Sequence, residues 1–389
     1  MNPVARLLET TFHAIWGTLS GLYQAQRHLL GALVLLVFTA MTMAVVTVYP
    51  QSNWDMLAYT ATVLEDQIDD PVSLHDKAYE LVRNDISEGA YLTLTEDRGY
   101  RVRQANDPAA FASMMGFYDL KLGYVETAKF LARFTDPVTA LRWISTASAA
   151  LTGLILLRWL ARYKAMAAGP VVVSLLLLCA FGPTAALLSP DLYASAFLLL
   201  CFYLYCEKQD IGAALCLLAA LLIRPDHLAF IGVFFAFCAI YGPGRLIMTL
   251  TFAAAAAAYL LILKDEGHPG WWIHMWFTHV EYVETLEGFD PPFSIVTYAQ
   301  MLVRSTVRSL TNQTWIAVLF AQAVFFARCI NAPAMPIRSR VLLYAIFTSI
   351  LAKYFVFPHY ETRFYFPYLM GMGMILLITR LRQDRGLMS

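Results

Sequence analysis

Ten apolar segments recur along this chain, and they restrict its fold more than any other feature. A helix that crosses the hydrocarbon core of a membrane needs about 20 mostly apolar residues. Inside lipid the backbone must satisfy its own hydrogen bonds, which leaves only helices and closed barrels. The sequence therefore predicts an all-α polytopic membrane protein with about ten transmembrane helices. The segments are 29–50, 139–158, 166–184, 190–206, 211–224, 228–242, 246–263, 309–327, 341–357 and 364–380.

The composition agrees with this class. Hydrophobic residues make up 59% of the 389 residues and charged residues only 14%, whereas soluble domains are about one quarter charged. Lys plus Arg equals Asp plus Glu at 28 each, so no charge excess indicates nucleic-acid binding. All six cysteines lie in or beside apolar segments, and we expect packing roles for them. Residues 1–389 are interpreted as one transmembrane domain without a separate soluble domain.

The distribution of basic residues predicts which side each loop faces. Lys and Arg in short loops stay cytoplasmic, and a cytoplasmic N-terminus collects thirteen basic residues against four acidic ones. We therefore expect both termini to be cytoplasmic and segment 29–50 to be an uncleaved signal-anchor helix. The expected location is a bacterial cytoplasmic (inner) membrane, with two larger loops, 51–138 and 264–308, on the outer side.

The two outer loops differ in character. Loop 51–138 holds fifteen acidic and eight basic residues and contains pieces with helical periodicity. The apolar spacing within 108–135 predicts an amphipathic helix on the membrane interface. Loop 264–308 is rich in tryptophan, which favours the interface. Its His274 and His279 are five residues apart, unlike a zinc-binding HExxH helix, so we expect no metal site there.

Ionisable residues at membrane depth are expensive and indicate functional sites. Asp55 follows Trp54 directly after the first segment and is either a catalytic carboxylate or a cap for the next helix. Asp191 opens the 190–206 segment, where capping alone explains it. The turn Arg224-Pro225-Asp226-His227 joins two short segments and is expected to line a wet cavity, unless Arg224 and Asp226 merely pair with each other.

The stretch Pro358 to Tyr365 contains several groups that suit an anionic ligand. The guanidinium of Arg363 can bind a phosphate oxygen bidentately, and His359 can add a donor. Tyr360 and Glu361 lie between them. Interfacial anchoring by tyrosine and arginine is the alternative interpretation.

Taken in order, these motifs resemble the GT-C superfamily of polytopic glycosyltransferases. The resemblance is carried by WD after the first helix, the long first outer loop, SPD, RPD and HYETRFYFPYL. It implies a donor in which a sugar is linked to polyprenyl phosphate, and a cell-envelope glycan or lipid as acceptor. Asp55 would be the general base, and Arg363, Arg224 and His359 would hold the lipid phosphate. The supporting residues would be Trp54, Asp191, Asp226, His227, Tyr360 and Glu361.

Two departures from the GT-C pattern refine the expectation. The chain has no soluble C-terminal domain of the kind that binds large acceptors, so a lipid-borne or small acceptor is expected. The first loop has no Asp-x-Asp, which favours a metal-independent reaction without a cofactor, although a divalent metal is compatible with the family. Two other functions fit the sequence: a transporter or flippase for a lipid-linked precursor, and a non-catalytic envelope-assembly subunit.

Overall fold

The structure is built from α-helices. The computed structural model describes residues 2–265, 267–329 and 335–384, and within these ranges it contains no β-strand. Four short 3₁₀ helices cover Met115–Phe117, Met166–Ala168, Pro225–His227 and Thr362–Tyr365. The α-helices are α1 (Pro3–Val48), α2 (Trp54–Leu64), α3 (Pro71–Asp85), α4 (Glu88–Thr95), α5 (Gly99–Asn106), α6 (Pro108–Ala112), α7 (Leu122–Ala132), α8 (Pro137–Arg162), α9 (Gly169–Leu178), α10 (Phe181–Ala186), α11 (Pro190–Cys206), α12 (Asp210–Ile223), α13 (Leu228–Tyr241), α14 (Arg245–Asp265), α15 (Trp271–His279), α16 (Ile295–Asn312), α17 (Trp315–Cys329), α18 (Ile337–Val356) and α19 (Phe366–Asp384).

Asp-Pro pairs start two helices of the outer loop, α3 and α6, and the second long helix, α8. The aspartate side chain accepts hydrogen bonds from backbone N–H groups of the first turn, which otherwise have no partner. The proline suits the first helical position because it lacks an N–H. The capping bonds are Ser73 N to Asp70 at 2.9 Å, Ala109 N to Asp107 at 3.0 Å and Thr139 N to Asp136 at 2.9 Å.

Among the described residues, five helices are long and apolar enough to cross a membrane, and they make the chain a multi-pass membrane protein. They correspond to five of the ten predicted segments. A sixth span is counted if the bent pair α16 and α17 crosses as one unit. Glu266 of loop 264–308, and residues 330–334 and 385–389 of two predicted cytoplasmic segments, lie outside the described residues. The five spans are Gln24–Val48, Pro137–Arg162, Arg245–Lys264, Ile337–Val356 and Thr362–Asp384.

The other predicted segments are helical but shorter than a span or bent. Helices α12 and α13 have 14 residues each, which at 1.5 Å per residue is about 21 Å, less than the hydrocarbon core of about 30 Å. The single helix predicted over 309–327 is wrong: α16 and α17 meet there at 82°. The helix is interrupted at Gln313 and Thr314 because both side chains form hydrogen bonds with other segments. Gln313 Oε1 accepts the Thr362 N–H at 2.9 Å, and Thr314 Oγ1 donates to the Leu178 carbonyl at 2.6 Å.

The outer loop 51–138 folds into helices α2 to α7 around a core of its own. The prediction of one interfacial helix over 108–135 is wrong, because this stretch is divided into α6, a 3₁₀ turn and α7. Phe111, Met114 and Tyr124 of this stretch are packed against protein and are at most 2% exposed, whereas Phe130 and Phe134 near its end are 54% and 69% exposed. The periodicity was genuine, but α2, α3 and α8 cover the apolar face.

Close backbone contact between α1 and α9 makes a testable packing prediction. A Cβ on Gly169 would overlap the carbonyl oxygen of Gly31, and one on Gly31 would overlap that of Met166. Gly169→Ala is therefore expected to destabilise the fold by about 1–3 kcal/mol, because backbone cannot yield as a side chain does. The measurement is the midpoint of thermal unfolding in detergent. Gly182→Ala is the control, since nothing lies within 4 Å of that Cβ, and equal midpoints for both variants would contradict the close approach.

Candidate functional site

A cavity of about 1130 Å³ brings together chain segments that are far apart in the sequence. The start of α2, the turn between α12 and α13, and the stretch between α18 and α19 all reach it. The start of α11 and the outer-loop residues around 117–121 complete this part of the lining. The charged side chains in the lining are those of Asp55, Arg101, Lys121, Asp191, Arg224, Asp226, Lys353, Glu361 and Arg363.

Asp55 lies in the first turn of α2 and is held by two neutral donors. Tyr118 Oη donates to its Oδ1 and Asn53 Nδ2 to its Oδ2, both at 3.0 Å. Asn53, not Asp55, occupies the N-cap position, so the capping interpretation of Asp55 is wrong. Burial, and after it the Asp55 charge, raises the pKa of the Tyr118 phenol well above its usual value, so Tyr118 stays a donor. Trp54 packs on the Tyr118 ring at 5.7 Å.

Asp55 also differs from the other carboxylates of the cavity in its charge environment. Within the described part of the chain it has no ion-pair partner. The positive end of α2 favours an anion at this position. Asp55 is therefore a fixed carboxylate that forms no ion pair with a described cation, and a carboxylate in hydrogen-bond reach of a substrate hydroxyl can accept its proton.

Asp191 joins the two arginines predicted to bind phosphate. It contacts Arg224, and its Oδ2 lies 3.3 Å from Arg363 Nη1. The Asp191 side chain is 5% exposed, and Ser189 Oγ donates to it at 3.1 Å. Ser189 is the N-cap residue of α11, and no side chain forms a capping hydrogen bond there, so the capping interpretation of Asp191 is wrong. Asp191 instead positions both guanidinium groups on one side of the cavity.

The remaining ion pairs extend this cluster. Asp226 Oδ1 lies 3.0 Å from Arg224 Nε, which confirms the predicted pairing, and Asp226 Oδ2 lies 2.7 Å from Lys353 Nζ. Glu361 Oε2 lies 2.6 Å from Arg363 Nε. Three cations thus meet three carboxylates, and the cluster has no net formal charge. It is an ordered donor array, not a free positive patch.

Lys121 is a cavity residue that the sequence analysis did not select. Its ammonium donates to the Phe117 carbonyl and lies 4.9 Å from the centre of the Tyr118 ring. No described carboxylate forms an ion pair with it. Burial, followed by the nearby Arg224 charge, lowers the pKa of Lys121 to about 8. A lysine between Leu120 and Leu122 was the available signal in the sequence, but its apolar neighbours alone do not show that it faces a cavity.

A column of aromatic rings lines another wall of the cavity. It runs from Phe117 through His274, Phe357 and His359 to Phe364, with successive ring centres 4.4, 5.0, 4.4 and 3.8 Å apart. Burial is the main cause that lowers the pKa of both histidines well below the usual value. His359 is therefore neutral near pH 7 and can offer a phosphate only a neutral N–H, not a charge.

Two predicted supporting residues behave differently from each other. His227 is not in the cavity lining: it is 3% exposed, and its Nδ1 lies 3.0 Å from the Tyr368 hydroxyl. The 3₁₀ turn directs it into the helix core while Asp226 faces the cavity. Tyr360 does line the cavity, and the Arg308 guanidinium lies over its ring at 5.4 Å.

Metal-binding residues are not clustered in the described ranges. Within residues 2–265, 267–329 and 335–384, no group of three or more His, Cys, Asp or Glu side chains is arranged to hold a metal ion. His268 Nε2 and His274 Nδ1 are 3.4 Å apart, but they have no third ligand of this kind among the described residues. Metal independence stays a prediction.

Comparison with known proteins adds no functional information. No protein-family model, no curated protein and no solved structure matches the chain. The chemistry of the cavity is therefore the basis for a functional proposal.

Proposed function

We propose that the chain is a membrane glycosyltransferase of the GT-C type. It transfers a sugar from a polyprenyl-phosphate-linked donor to a cell-envelope glycan or lipid on the outer face of a bacterial cytoplasmic membrane. One observation carries the proposal: Asp55, which lacks an ion-pair partner among the described residues, and an ordered cluster of cations line the same cavity. Inverting transfer from a phosphate needs a base on one side and anion stabilisation on the other.

In the proposed reaction Asp55 accepts the proton of the acceptor hydroxyl. The acceptor oxygen forms a bond to the anomeric carbon of the sugar. The bond from this carbon to the phosphate oxygen breaks, and its electron pair leaves with the lipid phosphate. Because Asn53 and Tyr118 hold the carboxylate from both oxygens, its position is set before the acceptor binds, which shortens the search for a reactive geometry.

The cation cluster supports binding of the leaving phosphate, but its charge is already balanced. Arg224, Arg363 and Lys353 each contact a carboxylate, so a phosphate there brings uncompensated negative charge. Lys121 lines the same cavity and can supply the missing positive charge. We therefore add Lys121 to Arg363 and Arg224 as a phosphate-binding residue, and assign His359 only a neutral donor.

The membrane arrangement proposed for this enzyme has ten segments and cytoplasmic termini. The five spans supply half of them. The bent pair α16 and α17, and four shorter apolar helices, supply the rest. Short helices beside long ones leave the connecting turns below the outer surface, which suits the polar turn Arg224 to His227. In this orientation the 51–138 and 264–308 loops cover the cavity from outside.

Donor affinity should depend on pH through Lys121. Its pKa of about 8 means that the ammonium is mostly charged at pH 7 and mostly neutral at pH 9.5. Affinity for a polyprenyl-phosphate sugar is therefore expected to fall about tenfold per pH unit above pH 8, until the pKa of the complex is reached. The measurement is donor Kd against pH. Lys121→Arg should remove this dependence because arginine stays charged, and a wild-type Kd that is flat from pH 7 to 9.5 would exclude the role.

The function itself is tested by reconstitution of the full chain in liposomes with labelled polyprenyl-phosphate sugars and membrane lipid acceptors. A glycosyltransferase produces labelled acceptor and free lipid phosphate. A carrier moves the donor across the bilayer without breaking the sugar–phosphate bond, and an assembly subunit does neither. Lys353 pairs with Asp226 and therefore belongs to the cluster of charges at the cavity. A carrier is expected to hold ionisable groups deep in several helices. Charged groups gathered at one cavity favour the enzyme over a carrier.

A further inference from the structure

The first half of α1 is a separate amphipathic element. Helix α1 begins at Pro3, and its candidate span is Gln24–Val48. Gln26 has non-helical backbone angles (φ −115°, ψ 15°), which mark a kink between the two parts. Some twenty residues of helix therefore precede the membrane span, and the kink lies in the first turn of that span.

One face of this N-terminal helix is apolar and uncovered. Its large apolar side chains are each at least 54% exposed. They recur at intervals of three and four residues, and at 100° per residue they cover about half of the helix circumference. Phe12 and Trp16 stack with ring centres 6.3 Å apart. The apolar residues are Val4, Leu7, Leu8, Phe12, Ile15, Trp16 and Leu19.

The opposite face is polar but carries no net charge. It contains Arg6, Glu9, Thr10 and His13. One arginine and one glutamate cancel, and Thr10 Oγ1 donates to the Arg6 carbonyl at 2.8 Å within the helix. This face therefore lacks the lysine and arginine excess that draws a helix to anionic lipid headgroups.

We propose that residues 3–25 lie flat on the membrane surface with this apolar face buried in the headgroup boundary. The occupant of the face is lipid because the helix continues directly into the span Gln24–Val48. That span also exposes apolar side chains, with Val37 at 54% and Met41 at 64%. The apolar face of the N-terminal helix therefore lies next to the surface of the bilayer that this span crosses. Its width argues against a second copy, because a coiled-coil seam occupies a narrower stripe.

The polar face has no excess of lysine and arginine, and this determines how the helix binds to the membrane. Burial of apolar side chains drives the association, and electrostatic attraction does not. The helix is expected to lie at the same depth in zwitterionic and anionic bilayers and at low and high salt. It anchors the start of the membrane span of α1 at the bilayer surface, whatever the headgroup composition of the lipids there.

The test uses the full chain in phosphatidylcholine liposomes, with one added cysteine at a time from position 6 to 19, each carrying a nitroxide label. Wild type labelled in parallel reports the background from the six native cysteines. Accessibility to lipid-dissolved oxygen should oscillate with a period of about 3.6 residues. Leu8, Phe12 and Ile15 should lie about 5–10 Å below the headgroups, while Arg6 and His13 stay accessible to a water-soluble relaxant.

Three results would overturn the proposal. They are equal water accessibility at all positions, spin–spin broadening that shows two copies in contact along the apolar face, and a depth that increases when anionic lipid is added. A second variant guards against a local effect of the label. With Leu8→Gln and Phe12→Gln in place, a label at position 19 should lose its lipid accessibility, whereas Thr10→Gln should leave it unchanged.

Discussion

Asp55→Asn is expected to reduce the rate of sugar transfer by about 10²–10⁴-fold, the usual contribution of a positioned general base. Asparagine keeps the size of the side chain and can still accept the Tyr118 hydrogen bond, but it cannot take the acceptor proton. Because Asp55 forms no ion pair with the cation cluster, the KM for the donor should change little while kcat falls. The measurement is steady-state transfer from a labelled donor in liposomes.

The matched control for this variant is Asp69→Asn. Asp69 is an exposed carboxylate of the same outer loop, just beyond α2. The Asp69→Asn variant should transfer sugar at the wild-type rate. Both variants should unfold at the same temperature as the wild type. Transfer that survives in Asp55→Asn assigns the base to another residue. Rescue by Asp55→Glu would support a carboxylate requirement over a purely structural one.

Arg224→Met is expected to have the largest effect on stability. It removes a cation that contacts the buried Asp191 and the half-buried Asp226. Breaking one partner of a buried pair typically costs 3–5 kcal/mol. We expect a loss near 3 kcal/mol, at the low end of that range, because Arg363 and Lys353 still contact the two carboxylates. Donor binding should weaken as well, which an unfolding curve and a donor Kd measured in the same detergent would both show.

A double variant separates charge from packing at this position. If an uncompensated carboxylate causes the loss, Arg224→Met with Asp191→Asn should be more stable than Arg224→Met alone. Arg304→Met is the control for removal of an arginine, because Arg304 is exposed on α16 and should change stability by less than about 0.5 kcal/mol. A double variant that is no more stable than the single one would mean that lost packing, not charge, dominates.

Some features of the site could be predicted because their signal is local. Asp55, Arg224 and Arg363 each stand at the end of an apolar segment, where an unexplained charge is costly. The order of these motifs along the chain led to the expectation that they meet, and in the structure all three line one cavity. Their chemical roles are still predictions.

Other features depend on which elements pack together, and the sequence pattern could not reveal them. His227 stands next to Asp226 in the sequence, yet one enters the helix core and the other the cavity. Lys121 is one of several lysines in a polar loop until the fold buries it near Arg224. The bend between α16 and α17 arises where Gln313 and Thr314 bond to Thr362 and Leu178, partners distant in the sequence.

The sequence by itself determined that this is an all-helical, multi-pass membrane protein. Long apolar runs can satisfy their backbone in lipid only within helices, so composition and segment length are enough for that conclusion. Only the tertiary structure decided which charges pair, which stay unpaired among the described residues and which apolar faces protein covers. Ion pairing and burial depend on distances between residues far apart along the chain, and no local pattern encodes those distances.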